Sequence, residues 1–203
     1  MLRALSILII ATVGIAACNN GTNSGSSYEE EILSLRLKKD AMFFDPDRTI
    51  LRPKEQTKFT GLRYFPVDST FRFQARFERL ENPTTVLIAK QTSGPVPYSH
   101  VGYVHIPHAG QTHRLSVFQN LEMEEGTAWI PFHDATSGLE TYGGGRYLDI
   151  DLPEGDTAIV DFNLAYNPYC VYNAYDFNCA IPPAENRLSF AVSAGEKMAL
   201  LLD

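Results

Sequence analysis

This chain of 203 residues lacks the usual catalytic signatures. It has no Gly-x-Ser-x-Gly elbow, no Ser-x-x-Lys, no His-Glu-x-x-His, no phosphate-cradling glycine loop and no dinucleotide fingerprint. Those absences remove the standard routes to an activated serine, a zinc-bound water or a bound nucleotide, so no cofactor is expected. Basic tracts are missing as well. The 17 Lys and Arg are outnumbered by 24 Asp and Glu, for a formal charge of −7. Without a clustered basic surface to neutralise phosphates, nucleic acid is excluded as a partner. Tryptophan occurs once and cysteine three times. There is no apolar run of about 20 residues, the length that crosses a bilayer.

The apolar run nearest to that length lies at the N-terminus, where it reads as a processing signal. Arg3 supplies the positive region, Leu5 to Val13 the apolar region, and Ile15-Ala16-Ala17-Cys18 a lipobox. The expectation is cleavage after residue 17 and acylation of Cys18 with palmitate-class chains, which anchor stably once two or more are present. Residues 18–27, rich in Asn, Gly, Ser and Thr, then form a flexible tether. No aspartate follows Cys18, which points to the outer membrane of a bacterial envelope, facing the periplasm. Removal of residues 1–17 leaves about 186 residues, one domain spanning 28–203. Nothing in the chain specifies an oligomeric state.

Export puts the two remaining cysteines, Cys170 and Cys179, in an oxidising compartment. An even pair this close in sequence reads as a disulfide, with free thiols or half a metal site as the rivals.

One helix is predicted. Ser27 and Glu30 make a capping box, Glu29 to Glu31 suit its positive end, and Lys38-Lys39 suit the other. Tyr28, Ile32 and Leu35 share a face. Beyond Asp45-Pro46-Asp47 the period becomes two: Phe71, Phe73, Ala75 and Phe77 alternate with polar residues. Further strand-like runs are Lys58–Phe65, Thr85–Ala89, Val101–Ile106, His113–Phe118, Thr127–Phe132 and Arg146–Ile150. Thr157–Phe162, Leu188–Val192 and Met198–Leu202 complete the series. Turn signals include Asn82-Pro83, His108-Ala109-Gly110 and Pro153-Glu154-Gly155. The fold class is mainly β: an antiparallel sandwich or barrel-like body with one N-terminal helix. Asn163 to Arg187 breaks the pattern, and its length, four tyrosines and both cysteines predict a long ordered loop, a lid on the β body.

Polar, glycine and proline residues are densest from Phe132 onward. Phe132-His133-Asp134-Ala135-Thr136-Ser137-Gly138 is followed by Thr141-Tyr142-Gly143-Gly144-Gly145-Arg146-Tyr147 and Asp161-Phe162-Asn163. Then come Asn167-Pro168-Tyr169-Cys170, Pro182-Pro183-Ala184-Glu185-Asn186-Arg187 and Ala194-Gly195-Glu196-Lys197. This succession resembles the bacterial family of unknown function DUF1684, which carries no activity over to this chain.

Read as chemistry, the block offers acids, amides and guanidinium forks at three strand ends. Asp134, Tyr142, Arg146, Asp161, Asn163, Asn167, Glu185, Asn186 and Arg187 form a candidate ligand or catalytic cluster if those ends meet. Arg146 and Arg187 would grip a carboxylate or phosphate, the glycine run would admit a close backbone approach, and Tyr142 and Tyr166 would be walls. The same residues could instead pair among themselves and fix the loops. A symmetric hairpin would set His105 opposite His113, with His100 or His133 as a third metal ligand, but the spacing fits no standard site. Asp149, Asp151, Glu154 and Asp156 read as a solvated strand end rather than a calcium loop.

Three readings stay open. The first is a binding module for a small polar, anionic or hydroxylated ligand. The second is a hydrolase with Asp134 or Glu185 as general base. The third is a structural or interaction protein of the envelope.

Overall fold

Six antiparallel strands follow one main helix in the computed structural model, which describes residues 27–120 and 124–199. The expected signal peptide, the expected lipidation site Cys18 and most of the expected tether lie outside the described residues. Helix α1, Tyr28–Phe44, starts at the predicted capping box, with the Ser27 hydroxyl accepting from the Glu30 N–H and the Glu30 carboxylate from the Ser27 N–H. It is longer than expected and runs past Lys38-Lys39 by five residues. Its buried face also differs: Ile32, Arg36 and Phe43 are covered, while Leu35 stays 42% exposed. A four-residue helix, α2, follows at Pro53–Gln56.

The strands are β1 (Arg72–Ile88), β2 (Val96–His108), β3 (Gln111–Gln119), β4 (Thr127–Phe132), β5 (Arg146–Asp151) and β6 (Thr157–Asp161). Their order across the sheet is β5-β4-β3-β2-β1-β6, and the two ends approach to form a nearly closed barrel. After β6 the chain turns through a short helix, Phe162–Leu164, and Tyr166 exchanges two backbone hydrogen bonds with Tyr147 of β5. That bridge joins the barrel's two ends.

Period-two alternation sorts each strand into two faces. Ala75, Phe77, Val104, Ile106, Leu115, Ile130, Leu148 and Val160 meet inside the barrel and are almost wholly buried. Outside, Phe118, Trp129 and Tyr147 pack with Cys170, Cys179 and Ala180 of the later loop. A third cluster seats the end of α1, with Phe43 against Phe59 and Tyr172.

Four expectations need correction. Asn82-Pro83 is no turn: β1 continues through it, with a register shift between Arg79 and Thr84. Proline cannot donate to a ladder, so an interruption is where a strand tolerates it. Lys58–Phe65 has one isolated bridge, at Tyr64 to Glu196. Leu188–Val192 is irregular, because its apolar residues pack into the barrel core while its backbone bonds only singly to loop 133–135. Met198 is irregular too, and residues 200–202 lie outside the described ones.

Candidate functional site

Arg146 opens β5 and points into the barrel, where none of it reaches solvent. Its Nη2 donates to Asp134 Oδ2 at 2.9 Å and to the Val192 carbonyl at 2.8 Å. Nη1 donates to the carbonyls of Ala194 and Glu196, and the guanidinium lies 5.4 Å from the Phe132 ring centroid. The other oxygen of Asp134 accepts from the N–H and hydroxyl of Thr136 and from the Val192 N–H. Burial pulls the Arg146 pKa down, and Asp134 pulls it back up. The guanidinium fork grips this chain's own irregular C-terminal segment. Gly145 explains the glycine run: its φ is +89°, and a Cβ there would sit 2.6 Å from the Phe132 carbonyl and 2.8 Å from Pro182. The close approach is to backbone rather than to a ligand.

The other predicted residues occupy separate places. Asp161 accepts from the Tyr28 hydroxyl and from the Asn163 N–H, while the Asn163 amide donates to the Asp68 carbonyl and accepts from its N–H. Together they dock the start of α1. Asn167 gives its N–H to Glu196 and its side-chain amide to the Tyr172 hydroxyl and the Lys197 carbonyl. Asn186 mends the barrel wall. β3 and β4 pair only at Phe118 and Trp129, and beyond that point the Asn186 amide bonds the N–H and carbonyl of Ser116 and the carbonyl of Pro131. Glu185 and Arg187 are exposed, and Tyr142 accepts a hydrogen bond from Gln91 at 2.8 Å. The nine residues therefore do not converge on one pocket.

The histidines are not opposed either. The turn at Ala109-Gly110 sets His105 across from Arg114 and His113 across from Ile106. His105 bonds Glu78 at 2.7 Å, whereas His108 stacks on Phe190 at 3.8 Å. No group of three or more metal-ligating side chains is gathered among the described residues.

The large opening lies elsewhere, on the outer face of the barrel. A cleft of about 800 Å³ sits between β4, β5 and the start of β2 on one side and the 164–180 segment on the other. Trp129 and Tyr147 form a nearly covered floor, packed edge to face at 4.8 Å. Tyr98 stacks on Trp129 at 5.0 Å, and the more open rings of Tyr166, Tyr169 and Phe177 line the cleft from the loop side. The expected lid is thus an ordered loop, closed by the Cys170–Cys179 disulfide. It is stitched to the end of β1 by Gln91 N–H to the Cys179 carbonyl and Ile181 N–H to the Ala89 carbonyl.

Asp149 stands on the cleft wall, and its Oδ2 accepts from the Tyr166 hydroxyl at 2.9 Å. Water reaches this carboxylate, yet protein crowds it. That burial pushes its pKa above the usual carboxylate range, while Tyr166 and Lys39 pull the other way. Lys39 is committed, with its ammonium 2.6 Å from Glu196 and 4.6 Å from the Tyr166 ring centroid. Lys90 and Glu124 also line the cleft. Of the residues singled out in the sequence, Tyr166, Tyr169 and Cys179 are here, as is Asp149, exposed as expected of a solvated strand end. Trp129, Tyr147 and Tyr98 went unpredicted. The signal that could have found them is alternation: 127, 129, 147 and 149 occupy the outward positions of β4 and β5.

Residues 57–197 match the family described as protein of unknown function DUF1684. The chain belongs to that family. Among solved structures, this DUF1684 protein is similar to an uncharacterized protein of Haloarcula marismortui determined by solution NMR. Identity is 34%, the match covers 84% of this chain and 94% of that one, and the TM-score is 0.66. No curated protein matches. The family match begins after α1 and includes both the Arg146 network and the aromatic cleft.

Proposed function

We propose that this DUF1684 protein is a small-molecule binding module, lipid-anchored through Cys18 in a bacterial cell envelope, whose site is the aromatic cleft. One observation carries the reading. Six rings (Tyr98, Trp129, Tyr147, Tyr166, Tyr169 and Phe177) line an opening of about 800 Å³ that the protein's own side chains leave unfilled. Pockets of this size, aromatic with a few placed polar groups, are the usual form of a small-ligand site. The Arg146 cluster offers no such opening.

Native mass spectrometry of the purified protein tests the site. A copurifying small molecule that is lost on Tyr169→Ala and Phe177→Ala, but kept on Glu185→Ala, supports the cleft. Retention in the first pair would refute it. The anchor has its own test. Cys18→Ser should release the protein from washed membranes, and persistent sedimentation would remove the basis of the lipoprotein reading.

A hydrolase is the second reading, favoured by one feature. Asp149 is a carboxylate of raised pKa bonded to a phenol and facing the cleft, which suits it to hold or give a proton. Turnover abolished by Asp149→Asn with binding retained would establish it in place of simple binding.

A further inference from the structure

We infer that the cleft recognises a neutral saccharide, an assignment that rests on the cleft being the binding site. The polar groups on its walls narrow the ligand class. Asp149 is acceptor-only when ionised, and Tyr166 occupies one side of Oδ2, leaving Oδ1 and the remaining lone pair for a ligand. Lys90 is donor-only, and its ammonium has no partner among the described residues. A ligand that spans both must donate at one end and accept at the other. Hydroxyl groups do both and stay uncharged.

The charge balance points the same way. Glu124 and Asp149 face Lys90 and Lys39, and Lys39 is already neutralised by Glu196. What remains is Lys90 against Glu124 and Asp149, a slight excess of negative charge that disfavours an anionic ligand. A purely aromatic ligand would fit the rings but would strip water from Asp149 and give no hydrogen bond back, at a cost for each stranded group. A sugar ring has an apolar C–H face for the aromatic side chains and a hydroxyl edge for the carboxylate and ammonium. The opening, about 800 Å³, is within the range that holds a ligand of one or two such rings.

Trp129, the chain's only tryptophan, lies in the floor and reports on occupancy by its fluorescence. The purified protein is titrated with maltose, cellobiose, lactose and diacetylchitobiose. Phenylalanine and alanyl-phenylalanine serve as zwitterions, and anilinonaphthalene sulfonate as a flat apolar probe. The inference expects a saturable response to at least one disaccharide. Asp149→Ala should weaken it about tenfold or more, the usual size of a lost hydrogen bond to a charged group. Tyr166→Phe, which frees the carboxylate to swing, should weaken it several-fold without changing the melting temperature. Saturable binding of only the zwitterions or the sulfonate would overturn the saccharide assignment and leave the cleft as the site. Silence from every probe, together with no copurifying molecule, would overturn both.

Discussion

Strand β5 carries two chemistries on its two faces. Arg146, Leu148 and Ile150 point into the barrel, and Arg146 there meets Asp134 and three backbone carbonyls in a sealed network. Tyr147 and Asp149 point outward, into an open cleft roofed by aromatic side chains. The inward face spends its polar groups on the fold. The outward face holds a carboxylate and rings that the fold does not use up. Dense polarity in a sequence therefore marks a region whose irregular backbone needs partners, and a site is marked by what remains unsatisfied and open.

The largest expected effect lies on the inward face. Asp134→Asn strands a fully buried guanidinium, and Arg146→Lys loses the fork that reaches three carbonyls as well as the carboxylate. Each should lower stability by about 3–5 kcal/mol, measured by urea unfolding. A near-native melt for both would break the comparison and return Arg146 to the list of ligand-binding residues. A smaller loss is expected for Asn186→Ala, which leaves Ser116 and Pro131 without partners where β3 and β4 diverge. About 1–3 kcal/mol is the cost of buried groups left unpaired in this way.

Asp149→Asn should do the opposite of Asp134→Asn. Burial raises the folded pKa of Asp149, so the folded state holds this proton more tightly than the unfolded chain does. The penalty for ionising it is absent below the unfolded value near 3.8 and complete above the raised value, so its contribution falls as pH rises through that window. At neutral pH Asp149→Asn should therefore be at least as stable as the parent, and the difference should vanish on acidification. Loss of stability at neutral pH would show that Asp149 is a structural acid like Asp134. Smaller still is the effect of two imidazoles, His133 buried and His100 half-buried. Burial lowers the pKa of both His100 and His133 below 6.5, so stability should begin to fall as pH drops through 6.5, where the unfolded chain takes up protons first. Replacing both with Gln should flatten that slope.

Much of the scaffold is legible from residues alone, for local reasons. The Ser27/Glu30 box starts α1, strand-like runs mark all six strands, and the tyrosine-rich break at Asn163 announces an ordered loop. What hides is long-range. Glu196 meets Lys39 across 157 positions, and Asn186 meets Ser116 across 70, so neither role has a local pattern. The polar block misleads because an acid, an amide and an arginine look the same whether they grip a ligand or their own backbone. Trp129 and Tyr147 went unpredicted because a sequence shows which face a strand residue takes, but not what covers that face.

Amide and indole chemical-shift mapping tests the division between the two faces most directly. A saccharide or fragment mixture is added to the isotopically labelled protein, and the perturbed residues are assigned. Shifts gathered at the Trp129 indole, Asp149, Tyr166 and Tyr169, with Asp134, Arg146 and Asn186 unmoved, are what this account predicts. Shifts centred on Asp134 and Arg146 would contradict it.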